Sequence, residues 1–215
     1  MPIVPQPIDI ARPSAAKRII AAGVNSAVWI FGVLVLRWDR YDVHVFLLVD
    51  LMLFVSFSAL KVIVSLDGDA SFFSDLFPRL YFAAMLFAFG GFLAYHATTS
   101  SLPDDFHVGA FLAASPARWS YGVVFVNYSG YLFHDFLWSG AYKKANPYVE
   151  AIVDFLSVVF TVVIVSVFLV LADPERRSDA FYRMFAVGFV LARFGWEVFV
   201  ALRGRTFLAN AEPEI

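Results

Sequence analysis

Residues 43–66 read VHVFLLVDLMLFVSFSALKVIVSL, and this stretch decides the fold. As a helix rising ~1.5 Å per residue it reaches about 36 Å, enough to cross a hydrocarbon core of roughly 30 Å. Two charged residues, Asp50 and Lys61, nevertheless lie inside it. A charge at the centre of a membrane helix costs ~2.5–3.5 kcal/mol on insertion scales and calls for a partner or a water-filled cavity. The stretch therefore points to a membrane helix and also to a polar interior for that helix to face.

Outward from this segment the same pattern recurs. Apolar runs of about 20 residues are expected as spans at 17–36, 43–66, 78–98, 119–140, 149–172 and 180–202. Polar stops separate them, including Arg37 to Asp42, Asp67 to Asp69, a loop at 99–118, and Asp173 to Arg177. The runs are continuous rather than alternating, which favours helices over a membrane barrel. Residues 71–77 read as an interfacial segment, and 108–114 as apolar but too short to span. Trp38, Trp119, Trp138 and Tyr148 stand at span ends, as an interfacial aromatic belt requires. The expected fold is all-α: a polytopic membrane helix bundle of about six transmembrane helices. One domain (15–204) lies between a polar, Pro-rich N-terminal tail (1–14) and a C-terminal tail (205–215).

Composition agrees. Of 215 residues, 60% are hydrophobic and 16% charged, where a soluble domain carries about 25% charged. A net charge of −2 without a basic block gives no footprint for nucleic acid. With no cysteine, disulfides, thiolate metal sites and cysteine nucleophiles are excluded. The basic run Arg12 to Arg18 precedes an apolar stretch longer than a signal-peptide core, with no small-x-small cleavage site, so it reads as an uncleaved first span. Counting basic residues on the two sides of six spans favours cytoplasmic termini in a prokaryotic inner membrane.

Alternating span direction sorts the intramembrane ionisable residues. Asp50 and His96 fall in one leaflet; Lys61, His134, Asp135, Asp154, Arg193 and Glu197 fall in the other, on the side of the termini. Helical spacing then places Glu150, Asp154, Ser157 and Thr161 on one stripe, and Asp50, Phe54, Phe57 and Lys61 on another. Ser120, Asn127, Tyr131, His134 and Trp138 share a face in the fourth span, with Asp135 beside it. Polar faces are expected to turn towards one another. A candidate polar pathway is Asp154, His134, Asp135, Asn127 and Lys61; Arg193–Glu197, one turn apart, is a candidate ion pair, and Asp50–His96 a second.

Each has a plainer reading. Arg193 and Glu197 can form a purely structural pair, Lys61 can snorkel to the headgroups, and His134-Asp135 can be a hydrogen-bonding element. The Ser157 and Thr161 hydroxyls can bond their own helix. Asp154 resists such a reading, because no basic residue stands one turn away on its own helix.

Other chemistries find no support. Tyr128-Ser129-Gly130 resembles an intramembrane serine-protease motif, but the last span holds no histidine to act as base. His44, His96 and His134 offer no buried same-leaflet pair for haem. His134, Asp135 and Asp154 are ligand types for several divalent ions, yet no His-Glu-x-x-His motif or phosphate loop is present. No catalytic, cofactor-binding or metal residue is assigned, and the cofactor question stays open. Gly90-Gly91 permits close helix packing or a hinge.

Residues 31–61, from Phe31-Gly32 through Arg37-Trp38-Asp39 and Asp50 to Lys61, resemble the opening hairpin of an uncharacterised prokaryotic family of six-helix integral membrane proteins, a domain of unknown function. Phe89-Gly90-Gly91-Phe92 followed by His96 is similar to that family's third span. The resemblance implies a link between Asp50 and His96 and no substrate. It covers about half the chain, and Asn127-Tyr128 stands where the family has Ser-His.

The leading functional expectation is a small transport or permeation protein for protons or a small polar solute. The alternative is a non-catalytic membrane subunit or scaffold whose Phe residues form a partner surface; a lipid-acting enzyme ranks last. The expected partners are the lipid bilayer and either further copies of the chain or other membrane subunits. A transporter should show a cavity reaching Asp154. A scaffold should show Asp154 capped by Arg193 or Lys61, with a broad exposed Phe patch.

Overall fold

The computed structural model describes residues 15–64, 72–99, 106–115, 117–138, 147–171 and 178–209. Every regular element among them is helical: α1 (Ala15–Leu34), α2 (Arg40–Val64), α3 (Phe72–Thr99), α4 (Val108–Ala114), α5 (Arg118–Gly130), α6 (Pro147–Leu171) and α7 (Asp179–Ala209), with α5 continuing as a π-helix over Tyr131–Trp138. Among the described residues, four stretches are long and apolar enough to cross a membrane: Ala16–Leu34, Arg40–Val64, Leu76–Thr99 and Ala180–Leu202.

The α1–α2 turn is built from local chemistry. Leu36 N–H returns to the Phe31 carbonyl and Trp38 N–H to that of Gly32, both at 3.1 Å, closing the end of α1. Arg37 takes a φ of 55° to make the reversal. Asp39 then caps α2: its Oδ1 accepts from Asp42 N–H at 2.9 Å, while Asp42 Oδ2 accepts from Asp39 N–H at 3.4 Å. This reciprocal pair satisfies donors that the first helical turn leaves unbonded. Gly32 lacks the Cβ that would collide with the Trp38 indole, so the ring folds flat onto α1.

The central helix is α2. Over half of its most apolar window is buried (56%), against 22% for that of α1. It packs along α3, with further contact to α5, α6 and α7, while α1 pairs chiefly with α7. α3 lies antiparallel to α2: Ala83 and Leu86 meet Ala59 and Val62, and Gly90 faces Val55, where a Cβ would come within 3.1 Å of a methyl. Gly90 and Gly91 thus serve close packing. Trp29 of α1 touches Phe189 of α7 while Arg18 meets Glu197. These two helices are therefore antiparallel, and the start of α1 and the latter part of α7 share one end of the bundle.

At the other end, Trp29, Trp38, Phe46 and Phe189 form a buried aromatic plug. Ring centroids there lie 4.8 Å apart for both Trp29–Phe46 and Trp38–Phe46. The outer side of α3 instead exposes Phe77, Tyr81, Phe89, Phe92 and Tyr95, an apolar face of the kind lipid solvates.

Several expected boundaries move. Residues 72–77, read as interfacial, continue into α3, with Pro78 inside the helix, where its missing N–H forgoes one bond of the backbone ladder. α7 runs 31 residues to Ala209, so the expected boundary between domain and tail at 204/205 falls within a helix. Arg79, at the start of the third expected span, is 1% exposed. The N-terminal tail and Lys143-Lys144 lie outside the described residues.

Candidate functional site

α1, α2, α5 with its π-helical extension, α6 and α7 enclose a cavity with a water-accessible volume of about 80 Å³. By this measure one water needs ~10–15 Å³, so several fit. On α1 the lining residues are Arg18, Ala21, Ala22, Asn25, Ser26 and Trp29. Their steps of three and four trace one helical face about 16 Å long. The face runs from Arg18, whose side chain keeps 18% exposure, to Trp29 at 2% in the aromatic plug. The cavity therefore approaches the surface at the end shared by α1's start and is closed at the other.

Its charges lie in two tiers. The inner tier joins α2, α5 and α7. Asp50, 1% exposed, accepts a bond from Arg193 on Oδ2. Its Oδ1 accepts from the Tyr128 hydroxyl at 2.9 Å, and Arg193 also donates to the Tyr128 oxygen at 3.4 Å. Both carboxylate oxygens are occupied.

The outer tier joins α1, α2, α6 and α7. Lys61 donates to Asp154 Oδ2, and its ammonium lies 5.8 Å from the Tyr131 ring centroid, within cation–π range. Arg18 donates to Glu197 Oε2 from Nη2 at 3.2 Å and from Nε at 3.4 Å. The same Nη2 stands 3.6 Å from Asp154 Oδ1, too far for a hydrogen bond. Asp154 Oδ1 is thus buried with no hydrogen-bond partner. Amides lie between the tiers: Asn127 donates to Asn25 Oδ1 at 2.8 Å and to the Ala21 carbonyl at 2.9 Å.

A separate clasp holds α6 to α7. Trp196 Nε1 donates to Ser157 Oγ at 3.0 Å, and Trp196 stacks on Phe160 with centroids 4.5 Å apart. Ser157 and Thr161 also bond carbonyls of their own helix, as their plainer reading holds.

Of the sequence-derived pathway residues, Asp154, Lys61 and Asn127 line this cavity. Lys61 is 6% exposed and paired rather than snorkelling. His134 does not line the cavity; it is exposed, on the π-helical segment. The side chains of Asp135 and Glu150 lie outside the described residues. The reason for His134's position is winding. A π-helix closes i→i+5 rings with roughly 4.4 residues per turn, so each residue advances on the order of 80° rather than 100°. Leu132 and Phe136 then take the inward positions, and His134 turns away.

Two pairings are corrected. Arg193 and Glu197, one turn apart, reach across to other helices: Arg193 to Asp50 and Glu197 to Arg18. Asp50 does not meet His96, which is exposed and stacked on Phe92 at 5.8 Å. The division by leaflet also breaks, since the long Arg193 side chain brings Asp50 into the same cavity as the residues on the side of the termini.

Sequence reasoning missed Arg18, Asn25 and Trp29. From sequence alone Arg18 belongs to a flanking charge cluster. Its three-and-four spacing with Ala21, Ala22 and Asn25 is the signal that marks a small, polar face on the first span. Among the described residues no three His, Asp or Glu side chains converge as a metal site would require. In comparison with known proteins, the chain matches no family model, no curated protein and no solved structure.

Proposed function

We propose that this chain is a six-helix membrane protein that passes protons or a small polar solute by way of the two-tiered cavity. The carrying observation is Asp154 Oδ1, buried, without a hydrogen bond, on a residue lining a cavity with room for water. A carboxylate kept only to fasten helices is expected to have both oxygens bonded, because an unsatisfied buried polar atom costs ~1–3 kcal/mol. Asp50 has that arrangement and Asp154 does not. Asp154 is the pathway group in this reading, Arg18 stands at the mouth, and Asp50–Arg193 holds the walls.

The fourth and fifth spans are α5 with its π-helical extension and the 25-residue α6, the latter about 37 Å long. Both termini are assigned to the cytoplasmic side of a prokaryotic inner membrane, and membership of the uncharacterised six-helix family belongs to the same proposal. In proteoliposomes, Asp154→Asn should abolish pH-dependent flux, and unchanged flux would remove Asp154 from the mechanism.

The scaffold reading retains specific support. Lys61 caps Asp154, and α3 exposes Phe77, Phe89 and Phe92 along its outer side. Recovery in a stoichiometric complex from mild detergent, with no flux by the chain alone, would favour it.

A further inference from the structure

The lining of the cavity also restricts what it can hold, an inference that rests on its reading as a solute site. Three cations, Arg18, Lys61 and Arg193, face three anions, Asp50, Asp154 and Glu197. Each carboxylate is ion-paired: Asp50 with Arg193, Asp154 with Lys61, and Glu197 with Arg18. An entering ion would bring a charge the walls do not balance, in an enclosure where an uncompensated charge is strongly penalised. A cation at Asp154 meets Lys61 and Arg18 already in place. An anion at Arg18 meets Asp154 and Glu197.

Two buried polar atoms on lining residues lack hydrogen-bond partners, and they are of opposite kind. Asp154 Oδ1 is an acceptor in the outer tier, and Trp29 Nε1 a donor at the plugged end. Phe54, Phe57 and Phe194 add aromatic rings to the same lining. Aromatic rings beside charge-balanced polar groups suit small organic molecules better than bare ions.

We propose that the cavity binds a small solute of zero net charge. The solute donates an N–H or O–H to Asp154 Oδ1 and lays an apolar body against Phe54, Phe57 and Phe194. This narrows the solute class from any small polar species or proton to uncharged, amphipathic molecules.

Benzamide, benzamidinium and benzoate test it, because they share a ring and a planar head and differ in charge as 0, +1 and −1. Titrated calorimetrically into the full chain in nanodiscs, benzamide is expected to bind at least ten-fold more tightly than either ion. Equal or tighter binding of an ion overturns the proposal, as does the absence of benzamide binding. The double variant Asp154→Leu/Lys61→Met removes the acceptor while keeping the lining neutral, and should weaken benzamide at least ten-fold; unchanged affinity overturns the proposal. Arg18→Gln, at the partly exposed mouth, leaves the lining at net −1 and should shift preference towards benzamidinium by ten-fold or more. An unmoved preference overturns the charge-balance argument even where the double variant fails to fold. Flux of labelled benzamide into proteoliposomes is read separately. Selective binding without any flux sustains this inference and sinks the permeation reading, whereas pH-dependent flux without benzamide selectivity does the reverse.

Discussion

The inner and outer tiers of the cavity use the same residue types to different ends. In the inner tier one carboxylate, Asp50, has both oxygens bonded, by Arg193 and Tyr128, across three helices. In the outer tier Asp154 has one oxygen held by Lys61 and the other held by no hydrogen bond, with Arg18 at 3.6 Å and itself engaged by Glu197. Hydrophobic burial cannot explain the contrast, since Asp50 and Asp154 are each 1% exposed. What separates them is satisfaction. A fully bonded buried network fixes geometry, whereas a buried oxygen without a donor beside a cavity leaves an accepting position for water or a ligand. The first behaves as a rivet between helices, the second as a site.

The sharpest way to break this comparison is Arg193→Met. It strands Asp50 without a countercharge in a tier that has no second cation, and should destabilise the fold by ~3–5 kcal/mol. Urea unfolding in micelles measures it, and the double variant Asp50→Asn/Arg193→Met should recover most of the loss. If Arg193→Met proves no worse than its outer-tier counterpart, the two tiers are equivalent and the distinction falls. That counterpart, Lys61→Met, should cost less, ~1.5–3 kcal/mol, because Arg18 remains within 3.6 Å of Asp154. Smallest is Arg18→Gln, expected at ~1 kcal/mol or below, since partly exposed ion pairs contribute little to stability. A loss comparable to that of Lys61→Met would show Arg18 to be a rivet rather than a mouth residue.

The helical class follows from hydropathy, because apolar runs of this length have few alternatives in a membrane; that α2 is the central helix is seen only in its burial. Asp50 and Lys61 stand eleven residues apart, about three helical turns, and spacing alone put them on one face. Spacing cannot say which helix lies opposite. Arg193 and Glu197 are neighbours by periodicity, but the pairing is decided by Asp50 and Arg18 on adjoining helices, which is tertiary information. For His134 the difference has another cause: the α period does not hold through Tyr131–Trp138, and nothing in the apolar pattern there marks the change of winding. Arg18 is not legible as a cavity residue, because a charge at a span's end has a sufficient interfacial explanation.

The length of α7 has a mechanical consequence. Thirty-one residues give a rod of about 46 Å, some 16 Å more than a typical hydrocarbon core. Unless it tilts steeply, its last turns stand clear of the bilayer. Arg193 and Glu197 ride on that rod, one in each tier. A sideways load on the protruding end, from a headgroup or from another chain, acts as torque on a lever pivoted within the bundle. It strains the bonds to Asp50 and to Arg18 together, so the two tiers share a single handle.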